Sequence, residues 1–518
     1  MAVTAPEHHA GPAVSPAPTA SGPRPLSRRD LLRVAMPGDR VASWLLIGGL
    51  GLVAFVLRMV RISYPGDLIF DEAYYPPEAL EMLQFGYEYN RGYTFIVHPP
   101  LGKWCIAVGE FLFGYNSLGW RFPSALAGTI AIVALARIVR RMTRSTFLGL
   151  VAGVLLTFDG LSFVLSRTGL LDVFLQPFIL TAFACLLIDR DRYRARLGEF
   201  VSTMDSALGT LGTLGTLGPQ VGPRGWRLGA GVLLGLACSV KWSGAYFLAG
   251  FAILSVVWDR AARKSAGVSR PTRGAALRDL PGAAWALGVV PVLAYLATWT
   301  GWFLGETSQG RHWAEANPDT SYPFIPDAIR SLWHMHGEML TFHSGLSSSH
   351  PWESKPWSWL VDGRPILLWN PQGITDGDGG QIVRYILMVG TPALWFAFAP
   401  AMLWMVWRML AHRDWRAAAV LVGISAGWLS WFINLERTMF IFYMAPVAPF
   451  FVMAVALTLG DVLGRARDSV LRRQLGLGAI SVYVALVVLN FVYFYPILTG
   501  LPLAYEDWLT RMWFSSWF

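Results

Sequence analysis

Two adjacent carboxylates, Asp71 and Glu72, stand in the segment Phe70-Asp71-Glu72-Ala73-Tyr74-Tyr75, just beyond an apolar run that ends at Arg58-Met59-Val60-Arg61. A partly buried carboxylate can take a proton from a hydroxyl. An Asp-Glu pair can equally be a solvated loop end, and spacing alone leaves both readings open. A second group is His98-Pro99-Pro100-Leu101-Gly102-Lys103. Its prolines suit the first position of a helix, which leaves His98 and Lys103 free to meet an anionic group at the helix start.

A third set is scattered: Arg121, Asp159, Ser166-Arg167 with Leu170-Leu171-Asp172, Lys241-Trp242-Ser243-Gly244, and Asn434-Leu435-Glu436-Arg437. Each cation alone reads as an interfacial anchor whose charged tip reaches water. Several of them around two carboxylates suit a phosphate carried on a lipid. The fourth stretch holds His334, His336, Glu338, His343 and Ser349-His350-Pro351-Trp352-Glu353. His334 and His336 are two apart, unlike the i, i+4 pair of a helical zinc site, and no cysteine supports them. A groove for sugar or peptide is the better reading, and no metal is expected.

These residues must be positioned by membrane helices. The chain has 518 residues, 54% apolar and 14% charged, with a mean hydropathy of +0.44. A soluble domain carries about 25% charged residues. The composition therefore excludes a soluble enzyme and a nucleic-acid module, and three cysteines (Cys105, Cys185, Cys238) make no disulfide framework. The net charge of +9 comes from arginines gathered between apolar runs, not from a nucleic-acid face.

A span needs about 20 apolar residues. Eleven runs qualify in whole or part, at 43–60, 121–137, 145–164, 169–188, 228–240, 242–258, 282–303, 385–409, 417–433, 438–459 and 477–497. The run 101–115 is shorter and reads as a helix on the membrane face. With the N-terminus inside, every arginine-dense loop falls on the cytoplasmic side, as the orientation rule requires. A twelfth span at 101–115 would break that pattern. The expected organisation is a disordered cytoplasmic tail (1–41), an N-terminal membrane region (42–303) with a catalytic external loop (61–120), an external loop subdomain (304–384), and a C-terminal membrane region (385–518). The Leu-Gly-Thr repeat at 208–218 reads as a flexible cytoplasmic linker.

In order and placement these motifs resemble the bacterial form of the protein O-mannosyltransferase family. The resemblance runs from about Arg58 to Pro446 and adds the string Ser349-His-Pro-Trp-Glu-Ser-Lys-Pro-Trp-Ser-Trp359 and Arg437 before Phe440-Ile-Phe-Tyr443. It implies an all-α polytopic membrane protein of GT-C type, in a bacterial plasma membrane with its active site outside. It also implies inverting transfer of mannose from polyprenyl-phosphate-mannose to Ser or Thr of polypeptide acceptors, met at the translocon. The β-trefoil insertion of the eukaryotic enzymes has no room in 304–384.

The donor's anomeric carbon already carries a leaving group, so one base and phosphate-binding cations suffice and no cofactor is implied. Under this resemblance Asp71 is the expected base and Glu72 a positioning carboxylate. Arg121, Lys241 and Arg437 are expected at the donor phosphate. Arg58, His98, Lys103, Arg167, Asp172, His350 and Trp352 are further site candidates. Two alternatives stay open: a GT-C mannosyl- or arabinosyltransferase that extends a lipid-linked glycan, and a secondary transporter. The absence of a Trp-Trp-Asp string disfavours an oligosaccharyltransferase. A transporter would call for a midplane site and an internal repeat, and no repeat is visible.

Overall fold

The computed structural model describes residue 32 and residues 35–89, 96–208, 215–318, 323–371, 380–464 and 468–518. Most of the N-terminal tail, the Gly373 and 376–379 turn signals, most of the Leu-Gly-Thr repeat, and Arg465 and Arg467 lie outside them. Among the described residues, seven helices are long and apolar enough to cross a membrane. They are α1 (Arg40–Met59), α2 (Ser117–Thr143), α3 (Asp172–Leu208), α4 (Gly244–Ser265), α5 (Pro271–Thr298), α6 (Pro392–His412) and α7 (Val470–Thr499). Three shorter apolar helices, Thr146–Thr157, Gly225–Val240 and Ala448–Leu463, pack among them. Each of the eleven expected runs thus contains a helix, with Trp415–Trp428 at the ninth.

The boundaries differ where polar residues or proline intervene. The run 145–164 breaks at Asp159, whose side chain accepts from Ser162 N at 3.0 Å and starts a separate short helix, Gly160–Leu165. The run from 385 begins with a strand, Ile386–Met388, paired antiparallel with Ile366–Trp369. Its helix starts only at Pro392, where proline loses no hydrogen bond. The run from 438 likewise opens irregularly and turns helical at Ala448, with Pro449 in the first turn. Thr391 bridges Asp159 and Phe158, so these breaks meet: its N–H donates to Asp159 Oδ1 and its hydroxyl to Phe158 O.

The run expected on the membrane face is the amphipathic helix Leu101–Phe113. It buries Gly102, Lys103, Ile106 and Glu110 and exposes Val108, Phe111 and Leu112. It lies directly on α2, because Gly109 leaves no side chain against Gly119 O; a Cβ there would sit 2.1 Å from that oxygen. In the loop after α5, Asp327–Gly345 forms a nineteen-residue helix.

Charge sorts into two layers. At one end of α3, Asp172 pairs with Lys241. Near the middle of the same helix, Asp189 and Asp191 pair with Arg224, Arg141 and Arg144. At 1.5 Å per residue these layers are about 26 Å apart, close to the thickness of a hydrocarbon core. Arg140 with Asp39, Arg227 with Asp259, Arg263 with Asp279, and Arg408 with Asp414 add further pairs in the arginine-rich segments.

Candidate active site

Beyond α1 the chain turns through a short 3-10 helix, Phe70–Ala73. Glu72 clamps this turn from the inside. Its carboxylate accepts from Ile69 N (3.1 Å), Gly169 N (2.8 Å), and Arg121 Nε and Nη2 (2.8 and 2.7 Å). Arg121 spends its remaining donors on the carbonyls of Ile62, Pro65 and Asp67. Both side chains are fully buried. Neighbouring residues of a tight turn project differently, so Asp71 faces the other way, into a cavity.

That cavity has a volume of 850 Å³ and collects residues from six distant parts of the chain: Asp71, Glu78, His98, Asp172, Lys241, His343, His350 and Arg437 among them. Its size suits a sugar phosphate with part of an acceptor. Aromatic walls come from Phe70, Tyr75, Trp242, Trp431, Phe442 and Tyr443. Phe70 locks the turn in place with edge contacts to His350, Phe440 and Phe442.

Burial pushes the Asp71 carboxyl up to about 6, with Lys241 opposing and Asp172 and Glu78 adding to the rise. Its one hydrogen bond among the described residues is a long one from Tyr75 Oη, 3.5 Å to Oδ2. A carboxylate poised near neutrality with an uncommitted oxygen has what a general base needs.

Lys241 follows the helix Gly225–Val240 and places Nζ 2.6 Å from Asp172 Oδ2 and 5.7 Å from the rings of Phe442 and Tyr443. Arg437 donates Nε to His343 O (2.9 Å) and Nη1 to Tyr443 Oη (3.2 Å), and lies 5.6 Å from the Trp431 ring. Among the described residues it has no carboxylate partner. Its segment is stitched to the loop before it: Thr438 N donates to Leu346 O and Ser354 N to Met439 O.

His98 and His343 stack at 4.9 Å. Burial first, then the nearby cations, lowers both, His343 to about 4, so both rings are neutral at pH 7. His350 lines the mouth and accepts from Trp352 N through Nδ1 (3.1 Å).

The remaining candidates lie away from the cavity. Lys103 is buried between Glu88 (2.5 Å) and Glu78 (3.0 Å). Arg167 ties down the end of α1 through the carbonyls of Arg58, Val60 and Arg61. Arg58 is buried inside α1, donating to Ala54 O at 3.3 Å. Trp352 packs under Arg364, 5.6 Å from its ring. Arg121, expected at the donor phosphate, is committed wholly to Glu72 and the loop carbonyls. In this arrangement the buried guanidinium has all its donors used, whereas Lys241 and Arg437 line the cavity.

Glu78 and Trp431 are among the lining residues that escaped the sequence reading. Glu78 stands seven residues after Asp71, in the first turn of the helix Tyr75–Phe85, and its closeness in sequence to the Asp-Glu pair is the signal that could have found it. His334 stacks on Trp313 at 3.7 Å and His336 bonds Tyr295 Oη of α5 at 2.7 Å, so these histidines belong to the packing of the helix Asp327–Gly345.

A bundle of membrane-length helices with a mixed-charge cavity at one face, opening beside an Asp-bearing loop after the first helix, is the architecture of GT-C glycosyltransferases. Residues 328–517 match the family described as the C-terminal four TMM region of protein-O-mannosyltransferase, and residues 97–214 match dolichyl-phosphate-mannose-protein mannosyltransferase. A polyprenol-phosphate-mannose--protein mannosyltransferase of Mycobacterium tuberculosis is 45% identical, covering 100% of this chain and 98% of its own. The Corynebacterium glutamicum protein of the same name is 37% identical over 92% and 93%. The solved Saccharomyces cerevisiae protein O-mannosyltransferase Pmt1-Pmt2 complex, bound to the sugar donor, shares the fold. Its TM-score is 0.72 at 15% identity, covering 95% of this chain and 94% of that one. The chain belongs to the polyprenol-phosphate-mannose--protein mannosyltransferase family.

Proposed function

We propose that the chain transfers mannose from polyprenyl-phosphate-mannose to Ser or Thr hydroxyls, with Asp71 as the base. The observation that carries this is Asp71 itself, a carboxylate poised near neutrality in the cavity that also holds Lys241 and Arg437. The donor phosphate sits between Lys241 and Arg437. Asp71 takes the proton of the acceptor hydroxyl, whose oxygen attacks the anomeric carbon from the face opposite the phosphate. The bond from that carbon to the phosphate oxygen breaks, polyprenyl phosphate leaves with the electron pair, and configuration inverts.

Asp172 positions Lys241, and Glu72 with Arg121 positions the turn that carries Asp71. The two cations stabilise the leaving phosphate, so the scheme needs no divalent ion. Arginine placement supports eleven spans, the N-terminus in the cytoplasm and the cavity outside, in a bacterial plasma membrane. There the enzyme meets chains emerging from the translocon.

The test is incorporation of labelled mannose from the lipid donor into a Ser/Thr-rich peptide by the purified protein. Label appearing in glycolipid while the peptide stays unlabelled would favour a glycan-extending enzyme instead.

A further inference from the structure

A second cavity, of 370 Å³, opens in the other charged layer, where α3 meets the start of the helix Gly225–Val240. It is lined by Arg192 and Arg196, by Trp226, by Cys185 and Gly229, and by the paired Asp189 and Arg224. The floor is electrically settled. Arg224 pairs with Asp189 and Asp259, Arg227 pairs with Asp259, and Tyr193 donates to Asp279, which also holds Arg263.

Arg192 and Arg196 are outside this balance. Both are exposed, and neither has a carboxylate partner among the described residues. Arg192 lies 5.2 Å over the Trp226 ring, and Arg196 donates to Pro223 O at 3.2 Å. The cavity therefore keeps two surplus positive charges facing outward.

Depth says what the anion is attached to. Arg192 is twenty residues along α3 from Asp172, about 30 Å at 1.5 Å per residue. That spans one hydrocarbon core and puts the arginines at the headgroup level of the leaflet opposite the mannosyl-transfer cavity. Below them the wall becomes apolar and small. A Cβ at Gly229 would meet only Cys185 Sγ, at 4.0 Å, so a shallow furrow opens between the two helices at this level, on the side of the arginines nearer Asp172. Cations at headgroup depth, an interfacial tryptophan beside them and an apolar furrow beneath fit one ligand class. We propose that this cavity binds the phosphate of an anionic phospholipid, with Arg192 and Arg196 on the phosphate and an acyl chain in the furrow between α3 and Gly225–Val240.

The site is independent of the transfer reaction, and its test does not need activity. The full-length protein is purified in detergent and titrated with phosphatidylglycerol, phosphatidylcholine or inorganic phosphate, reading the thermal unfolding midpoint and lipid retained by native mass spectrometry. Phosphatidylglycerol is expected to be retained and to raise the midpoint saturably. Arg192→Ala/Arg196→Ala should bind it about tenfold or more weakly while unfolding at the parent temperature without lipid. The double variant Arg192→Lys/Arg196→Lys keeps the charge and should retain most binding. Equal retention of phosphatidylcholine, an equal effect of inorganic phosphate alone, or unchanged phosphatidylglycerol binding by the alanine double variant would overturn the proposal. Should the alanine variant fold poorly, Gly229→Leu, which blocks the furrow and leaves both arginines, must lose the lipid for the proposal to stand.

Discussion

Glu72 and Arg121 form a two-bond ion pair, Nε to Oε1 at 2.8 Å and Nη2 to Oε2 at 2.7 Å, with neither side chain exposed. Breaking such a pair leaves one buried charge uncompensated, which costs about 3–5 kcal/mol. Glu72→Gln and Arg121→Ala should each lower the thermal unfolding midpoint measurably, and transfer activity should fall with the loss of folded protein. If either variant keeps the parent midpoint yet loses donor affinity, the pair belongs to the phosphate site and not to the turn.

Asp71 is next to Glu72 in sequence and opposite to it in role. Asp71→Asn keeps the shape of the side chain and removes its basicity, so transfer should drop about 100-fold to 10,000-fold. The unfolding midpoint should hold, which separates this variant from Glu72→Gln. Near-normal transfer by Asp71→Asn would rule out the base assignment.

The same carboxyl sets a pH profile. Burial lifts it to about 6, and only the deprotonated form accepts the hydroxyl proton. kcat/KM should therefore rise with pH and level off above about 6, the protonated and inactive form dominating below. The neutral His98 and His343 do not contribute this limb, because their shifts run downward. A rate that falls as pH increases from 5 to 7 would contradict the scheme.

Lys241 and Arg437 should bind the donor, not the acceptor. Removing one cation from a desolvated anion site costs on the order of 2–5 kcal/mol. Lys241→Ala and Arg437→Ala are expected to weaken lipid-donor binding strongly and acceptor-peptide binding little. Arg121→Ala serves as the contrast, since its donors never reach the cavity. Unchanged donor affinity in both variants would reduce the two residues to interfacial anchors.

Sidedness is checked by cysteine labelling in intact cells, in a background lacking Cys105, Cys185 and Cys238. A cysteine at 348, lining the cavity that holds Asp71, should react with an impermeant reagent. One at 267, in the turn after α4, should not. Reaction at 267 alone would place Asp71 in the cytoplasm.

The helices were legible in the sequence, because membrane spans are local. About 20 apolar residues satisfy their own backbone and announce themselves by composition. The motif strings were local too, so Asp71, Lys241 and Arg437 could be picked out before any contact was known.

Which charges line the cavity is a different kind of fact. Arg121 and Arg437 both stand near the end of an apolar run, and nothing in spacing separates them. Only the packed chain shows Arg121 spending every donor on Glu72 and three carbonyls, while Arg437 keeps part of its guanidinium open beside Trp431. Glu78 entered the cavity, and Lys103 left it for Glu88, by the same route. The residues involved are up to 366 positions apart, Asp71 to Arg437, so their juxtaposition depends on how helices pack side by side. Hydropathy carries the length and direction of each helix but not its rotation or neighbours. Rotation decides which side of a helix a charge occupies, and in a low-dielectric interior that decides whether it finds a partner or a substrate.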